Sequence, residues 1–422
     1  MTDTRRHWVL IGSANGSSNL GDESMWLASA QHVRAFDPDA TIVTDAMPGF
    51  SPDVTDVEIL PLLTPALGRG HALPGLLGKV VSRPFRTGVT QRRCAKLLAD
   101  PSSHALAQLW WETISTADGL VFTGAGGICD DYHVHGVHMW CLLADMAGKA
   151  GVPVLFVGHG IGPLTTASSR TTAARMLSNA EHVTVRAQSS RDLAIELGVD
   201  PDRVAVTGDW AVAMAIEDKH RAQAADAAQA LFGGSSVPFW VVSFHRRAMV
   251  EPRRMRLLAS LLSGIVAHAE AAGRRVLFVP NMTAGRYSDD RQTADLIMKH
   301  CSPAVRAKLS IWGTPGNPML VKAVLARAEM VFTSRYHPLV FALDEGVPAV
   351  GISFDEYYDK KLEGAAALYG LTGSTFRLRA DLDAATVVRA GKTLSPEPTD
   401  MVDRDRIVEP LTRFVERHRG RR

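Results

Sequence analysis

Short apolar runs alternate with amphipathic stretches along almost the whole chain, the pattern expected of parallel sheets covered by helices. In the first half the runs predict strands over Trp8–Ile11, Thr41–Thr44, Leu120–Thr123, Val154–Val157, Val183–Val185 and Val204–Val206. Helical periodicity falls between them, over Glu23–Phe36, Gly136–Ala150, Ser168–Ala180 and Ser189–Leu197, the last ending before Gly198. An Ala/Gln/Asp-rich stretch then reaches Gly233-Gly234-Ser235-Ser236, and a second series begins: Phe239–Ser243, Val276–Val279, Leu309–Trp312, Met330–Thr333 and Ala349–Ile352.

This order predicts two α/β domains of Rossmann type: residues 1–215, a linker region 216–236, and residues 237–395. Residues 396–422 read as a helix with a basic tail that crosses back to the first domain. At 422 residues the chain is too long for one ordinary core, which agrees with two. In such sheets ligands bind beyond the carboxyl ends of the strands, so the loops there carry the candidate chemistry.

Charge and cysteine content narrow the classes. A net charge of +2 argues against a dedicated nucleic-acid binder. No run approaches the roughly 20 apolar residues needed to span a bilayer, and the start of the chain runs straight into a strand-like segment without the look of a signal peptide. The four cysteines, Cys94, Cys129, Cys141 and Cys301, lack C-x-x-C spacing, so the expectation is a reduced, cytoplasmic protein. Residues 59–99 contain no acid but include Arg69, Lys79, Arg83, Arg86, Arg92, Arg93 and Lys96. This basic insertion and the basic tail are either solvated segments or peripheral contacts with an anionic membrane at its inner face.

Among the loops, Ser334-Arg335-Tyr336-His337-Pro338 stands out. It joins a buried strand to a helix that Pro338 is placed to start, and such a turn offers unpaired N–H groups and the positive end of a helix dipole to a phosphate or carboxylate. An arginine–carboxylate pair beside a capping histidine is the plainer alternative. In the second series, Ser243-Phe244-His245-Arg246-Arg247 adds positive charge after its first strand, and Asn281 follows the next. Near the start, Asn19-Leu20-Gly21-Asp22-Glu23 opens a helix; its acids would repel phosphate and suit a polyhydroxylated ligand, although Asp22 could simply cap the helix. Gly124-Ala125-Gly126-Gly127 leads to Cys129, Asp130, Asp131, His133, His135 and His138, all metal-ligand types but without a metal-site spacing, so no metal is assigned. Gly158-His159-Gly160-Ile161-Gly162-Pro163 is a further glycine-rich turn after a strand.

In this order the motifs resemble the polysaccharide pyruvyl transferase family: Asn19-Leu20-Gly21-Asp22-Glu23, Gly124–Gly127 with Asp130, Gly158–Pro163, Arg191-Asp192 with Gly208-Asp209, and Arg335-Tyr336-His337 leading to Ala342–Pro348. The resemblance runs from about residue 9 to about residue 372. Ala125, Ser24 and the insertion at 59–99 depart from it. It implies a glycosyltransferase-B-like pair of Rossmann-like domains facing a cleft, with phosphoenolpyruvate as co-substrate, no cofactor, and a sugar, glycan or glycolipid acceptor. The expected product is a pyruvate ketal across two hydroxyls, with phosphate released.

In that reading His337 does acid/base work and Asp22 or Glu23 activates the acceptor. Arg335, His245, Arg246 and Asn281 hold the donor anion. Asn19, Gly21, Gly126, Gly127, Asp130 and His159 line the acceptor side, with the Asp22-Glu23 loop on the wall opposite His337. A nucleotide-sugar glycosyltransferase of the same architecture is the nearest alternative, and a non-catalytic sugar- or phosphate-binding protein a second.

Overall fold

The computed structural model describes residues 6–12, 15–16, 19–47, 50–67, 83–130, 134–234, 236–245, 251–283, 289–313, 316–399 and 402–420, apart from the side chains of 83–87 and 134–135. It divides into two compact units, one of Met1–Gly16, Met25–Ala213 and Arg404–Arg422, the other of Ser17–Ser24 and Met214–Asp403.

The elements of the first stretch are β1 (His7–Ile11), α1 (Leu20–Phe36), β2 (Thr41–Ala46), β3 (Val57–Pro61), α2 (Arg83–Ala99), α3 (Ala105–Ser115), β4 (Gly119–Phe122), α4 (Val134–Ala150), β5 (Val154–His159), α5 (Ala167–Ser178), β6 (His182–Val185), α6 (Gln188–Glu196) and β7 (Val204–Val206). Their strands form one parallel sheet in the order β3-β2-β1-β4-β5-β6-β7. The order reverses between β1 and β4, the switch point at which open α/β sheets bind ligands. The basic insertion at 59–99 contains the end of β3 and all of α2, and its residues 68–82 lie outside the described residues.

The second stretch gives α7 (Asp218–Leu231), β8 (Phe239–Ser243), α8 (Pro252–Ala271), β9 (Arg275–Phe278), α9 (Asp290–Met298), α10 (Pro303–Arg306), β10 (Leu309–Ile311), α11 (Pro318–Leu325), β11 (Met330–Thr333), α12 (Tyr336–Asp344), β12 (Ala349–Ser353), α13 (Glu356–Ala367), β13 (Thr375–Arg377), α14 (Ala384–Thr393) and α15 (Arg404–His418). A second parallel sheet runs β10-β9-β8-β11-β12-β13, with its switch point between β8 and β11. The central strands are apolar up to a hydroxyl residue that ends β8, β11 and β12, because helices cover both faces: β4, β8, β11 and β12 are buried along their whole length.

α15 belongs to the first unit. It buries Ile407, Leu411, Phe414 and Val415, and Phe414 packs 5.9 Å from Trp8 over Gly119, where any side chain would collide with both rings. The turn after β11 differs in detail from the expectation. α12 begins at Tyr336, two residues before Pro338, with Arg335 as its N-cap. Proline is tolerated there because first-turn N–H groups have no intrahelical acceptor to lose. Among the described residues no helix is long and apolar enough to cross a membrane.

In the second unit Lys322, fully buried on α11, reaches Asp344 (2.5 Å), the Met214 carbonyl (3.2 Å) and Glu345 (3.7 Å), and Arg221 on α7 meets Glu345 at 3.3 Å. The network ties the entry of the chain into this unit to the end of α12. Removing one partner of a buried pair strands the other, so Lys322→Ala is expected to lower unfolding stability by about 3–5 kcal/mol. Urea titration checks this; a loss below about 1 kcal/mol would place the pair among the inconsequential ones.

Candidate functional site

In the second unit the site grows from the carboxyl ends of β8, β9, β11 and β12. Across the switch point, Ser334 N–H donates to Ser243 O (3.0 Å), and His245 N–H donates to Ser334 Oγ (3.1 Å). Thr333 Oγ1 donates to Ser243 O and accepts from Arg335 N–H, both at 2.8 Å, fixing the turn that presents Arg335.

The Arg335 guanidinium forks onto Asp290: Nε donates to Oδ2 at 3.0 Å and Nη2 pairs with Oδ1. Asp290 is fully buried, and its Oδ2 also accepts from the N–H groups of Asn281 and Met282, each at 2.9 Å. Burial pushes the Asp290 carboxyl above its ordinary range, while Arg335 and the two amides pull it down. Arg335, expected to hold a donor anion, thus has a carboxylate partner within its own unit.

The same Asn281 anchors the start of α1. Leu20 N–H donates to Asn281 O (3.0 Å), Asn19 pairs with Met282 as an antiparallel bridge, and Asn281 Nδ2 donates to Asn19 Oδ1 (3.3 Å). Gly21 then lies flat on the His337 imidazole, where a Cβ would overlap the ring outright. For this reason Ser17–Ser24 groups with the second unit, not with the first as the sequence reading had it. The expected wall opposite His337 is therefore corrected: Asn19 and Gly21 are packed on the His337 side. Asp22 and Glu23 follow half-buried in the first turn of α1.

His337 is buried, with the Tyr336 ring edge-on at 5.2 Å and Phe341 at 6.1 Å. His245 is also buried, between Phe354 and Tyr358 at 4.9 Å each. Arg246 lies outside the described residues. Nearby, Ser243 Oγ and Asn281 Oδ1 are buried with no hydrogen-bond partner among the described residues. Polar atoms left so are uncommon in a folded interior and mark places where a ligand or water completes the bonding.

The first unit carries a second centre that the sequence reading missed. Arg186 follows β6, its N–H donating to His159 O (3.1 Å), and its guanidinium lies 3.8 Å from the buried Asp209 carboxylate. Gly126 and Gly160 flank it; at either position a Cβ would come within about 3 Å of the guanidinium. The two glycine motifs therefore leave room for a cation. The signal in the sequence was a lone arginine ending the buried run Val183-Thr184-Val185. Gly127 faces Trp140 instead.

Two other candidates have structural partners. Asp130 accepts from both the N–H (2.6 Å) and the hydroxyl (2.5 Å) of Thr165, closing the loop after β4 onto the loop after β5. His159, expected to line the acceptor side, is 1% exposed at the end of β5, with Nε2 3.2 Å from Phe122 O. Burial, helped by Arg186, pushes its pKa down to about 4, so it is neutral at physiological pH. In the suggested metal cluster, Asp131, His133 and the His135 side chain lie outside the described residues. Among the described residues no three ligand-type side chains converge to hold a metal ion.

Two parallel Rossmann-like units, with polar and cationic loops at the strand ends, define an α/β protein of the glycosyltransferase-B-like class. Solved structures share the fold at low sequence identity. UDP-GlcNAc 2-epimerase from Methanocaldococcus jannaschii matches with TM-score 0.57 and 12% identity over 97% of this chain and 99% of that one. The enzyme from Neisseria meningitidis bound to UDP-GlcNAc matches with TM-score 0.54 and 8% identity, over 98% and 94% of the two chains. No curated protein sequence matches. The family model for polysaccharide pyruvyl transferase matches residues 19–356, and the chain belongs to that family.

Two substitutions test the packing. Alanine for glycine inside a helix ordinarily stabilises by roughly 0.5–1 kcal/mol, but Gly21→Ala must displace His337 and is expected to destabilise by about 1–3 kcal/mol. A gain in urea midpoint would contradict the contact. Because the folded His159 pKa lies below the ordinary 6.5, its contribution is present above pH 6.5 and lost as pH falls through 4, up to about 3 kcal/mol. The stability advantage of wild type over His159→Gln should therefore shrink between pH 7 and 4; a pH-independent difference would refute a buried neutral imidazole.

Proposed function

We propose that this protein transfers pyruvate from phosphoenolpyruvate to two hydroxyls of a sugar or glycan, forming a ketal and releasing phosphate. The carrying observation is the His337 centre, in which two motifs by which the chain resembles its family, 19–23 and 335–337, are packed on one another.

The chemistry asks for an acid and for cations. Proton addition to the donor's methylene carbon makes an oxocarbenium-like centre at C2, and one acceptor oxygen attacks it. The C2–O bond to phosphate breaks, and the second oxygen closes the ketal. Of the two hydroxyl protons, one replaces the proton given to the methyl group and the other leaves with phosphate. We assign His337 as the acid, Asp22 or Glu23 as the group that activates the acceptor, and Arg335, His245, Asn281 and Arg246, the last outside the described residues, as donor-holding groups. Arg186 is the cation at the strand ends of the first unit.

The Neisseria neighbour is bound to UDP-GlcNAc, but at 8% identity it supports the architecture alone, so UDP enters as the control ligand. Mass spectrometry of candidate glycans incubated with phosphoenolpyruvate should show an added pyruvyl ketal; tight UDP binding with no pyruvyl product would favour nucleotide-sugar chemistry. His337→Ala should cut kcat by about 10²–10⁴-fold with donor affinity nearly kept. Near-full turnover would remove its acid role. Arg335→Ala is a poor substitute test, because it leaves Asp290 buried without its guanidinium.

A further inference from the structure

Arg335 already faces a buried carboxylate, so the positive charge that a dianionic or trianionic donor needs in the second unit has to come largely from other side chains. Lys361 on α13 is placed to supply it. Its Nζ lies 5.0 Å from the ring centroid of Tyr336, 5.7 Å from Tyr357 and 5.9 Å from Tyr358.

These rings connect it to both histidines of the site. Tyr336 meets the His337 imidazole edge-on at 5.2 Å, and Tyr358 lies 4.9 Å from His245 and 4.5 Å from Phe354. Aromatic faces attract an ammonium through their quadrupole, so the three rings fix the amine beside the residues of the His337 centre. Tyr357 is 41% exposed, which leaves the cluster open to solvent on one side. Tyr357, Tyr358 and Lys361 all lie beyond the span 19–356 matched by the family model.

We infer that Lys361 is a ligand-contacting cation of the His337 centre, donating to the anionic end of the enolpyruvyl phosphate donor. The identity of that donor rests on the function proposed above; the anion-binding role of Lys361 does not. A purely structural lysine would also hold the three rings together, so the test must separate charge from packing.

The experiment is calorimetric titration of the full chain with phosphoenolpyruvate at low and high salt, alongside steady-state kinetics, for wild type, K361Q, K361M and K361R. The expected result is a donor Kd and KM raised about tenfold or more in K361Q and K361M. K361R should recover most of the affinity, acceptor KM should stay unchanged, and the salt dependence of binding should weaken in the neutral variants. Donor affinity within twofold of wild type, or a fall in kcat with Kd unchanged, overturns the assignment. If wild type ignores phosphoenolpyruvate, the proposed function falls. The same variants are then read with inorganic phosphate and UDP: a matching loss of affinity upholds the anion role of Lys361, and equal affinity overturns it. Wild type binding none of the three overturns both.

Discussion

The buried Asp290 carboxylate organises the candidate site. Its oxygens hold the Arg335 guanidinium and the amide groups of Asn281 and Met282 at once. Asn281, so fixed, receives Leu20 and Asn19, and that attachment sets Gly21 on His337. A buried carboxylate without such partners would carry a large desolvation cost, so loss of any of its donors propagates to the others. The segment that opens the chain's first long helix and the turn that opens α12 are thereby made parts of one structure.

Arg335 takes a different part under this constraint. Its fork satisfies Asp290, which makes it a positioning group first and leaves the neighbouring imidazoles and Lys361 as the groups proposed to meet a ligand. The first unit repeats the theme with different means. There Asp209 faces Arg186, and glycine at 126 and 160 keeps space on either side of the guanidinium. Each glycine-rich loop has a residue-specific reason to lack a Cβ, which composition alone does not state.

Much of the fold was legible because buried parallel strands are continuous apolar runs: Phe239–Ser243 and Met330–Thr333 stand in the structure with the bounds expected of them. The edge strands Val57–Pro61 and Thr375–Arg377 were not, since a short, half-exposed strand has no such run. His337, His245 and Asn281 were legible as polar residues in the segments that follow strands. The Asp290–Arg335 fork, the seat of Gly21 on His337 and the surroundings of Arg186 join residues from 23 to more than 300 positions apart, and no local pattern encodes such contacts. The approach of Lys361 to Tyr336, 25 positions away, is a contact of the same kind.

Histidine-selective ¹⁵N NMR during a phosphoenolpyruvate titration tests the central claim most directly. In wild type the His337 ring signals should move with ligand, and in Asp290→Asn, where the scaffold beneath the turn is weakened, they should move far less at the same concentration. Saturating phosphoenolpyruvate that leaves the wild-type His337 signals in place would contradict a donor site at this histidine.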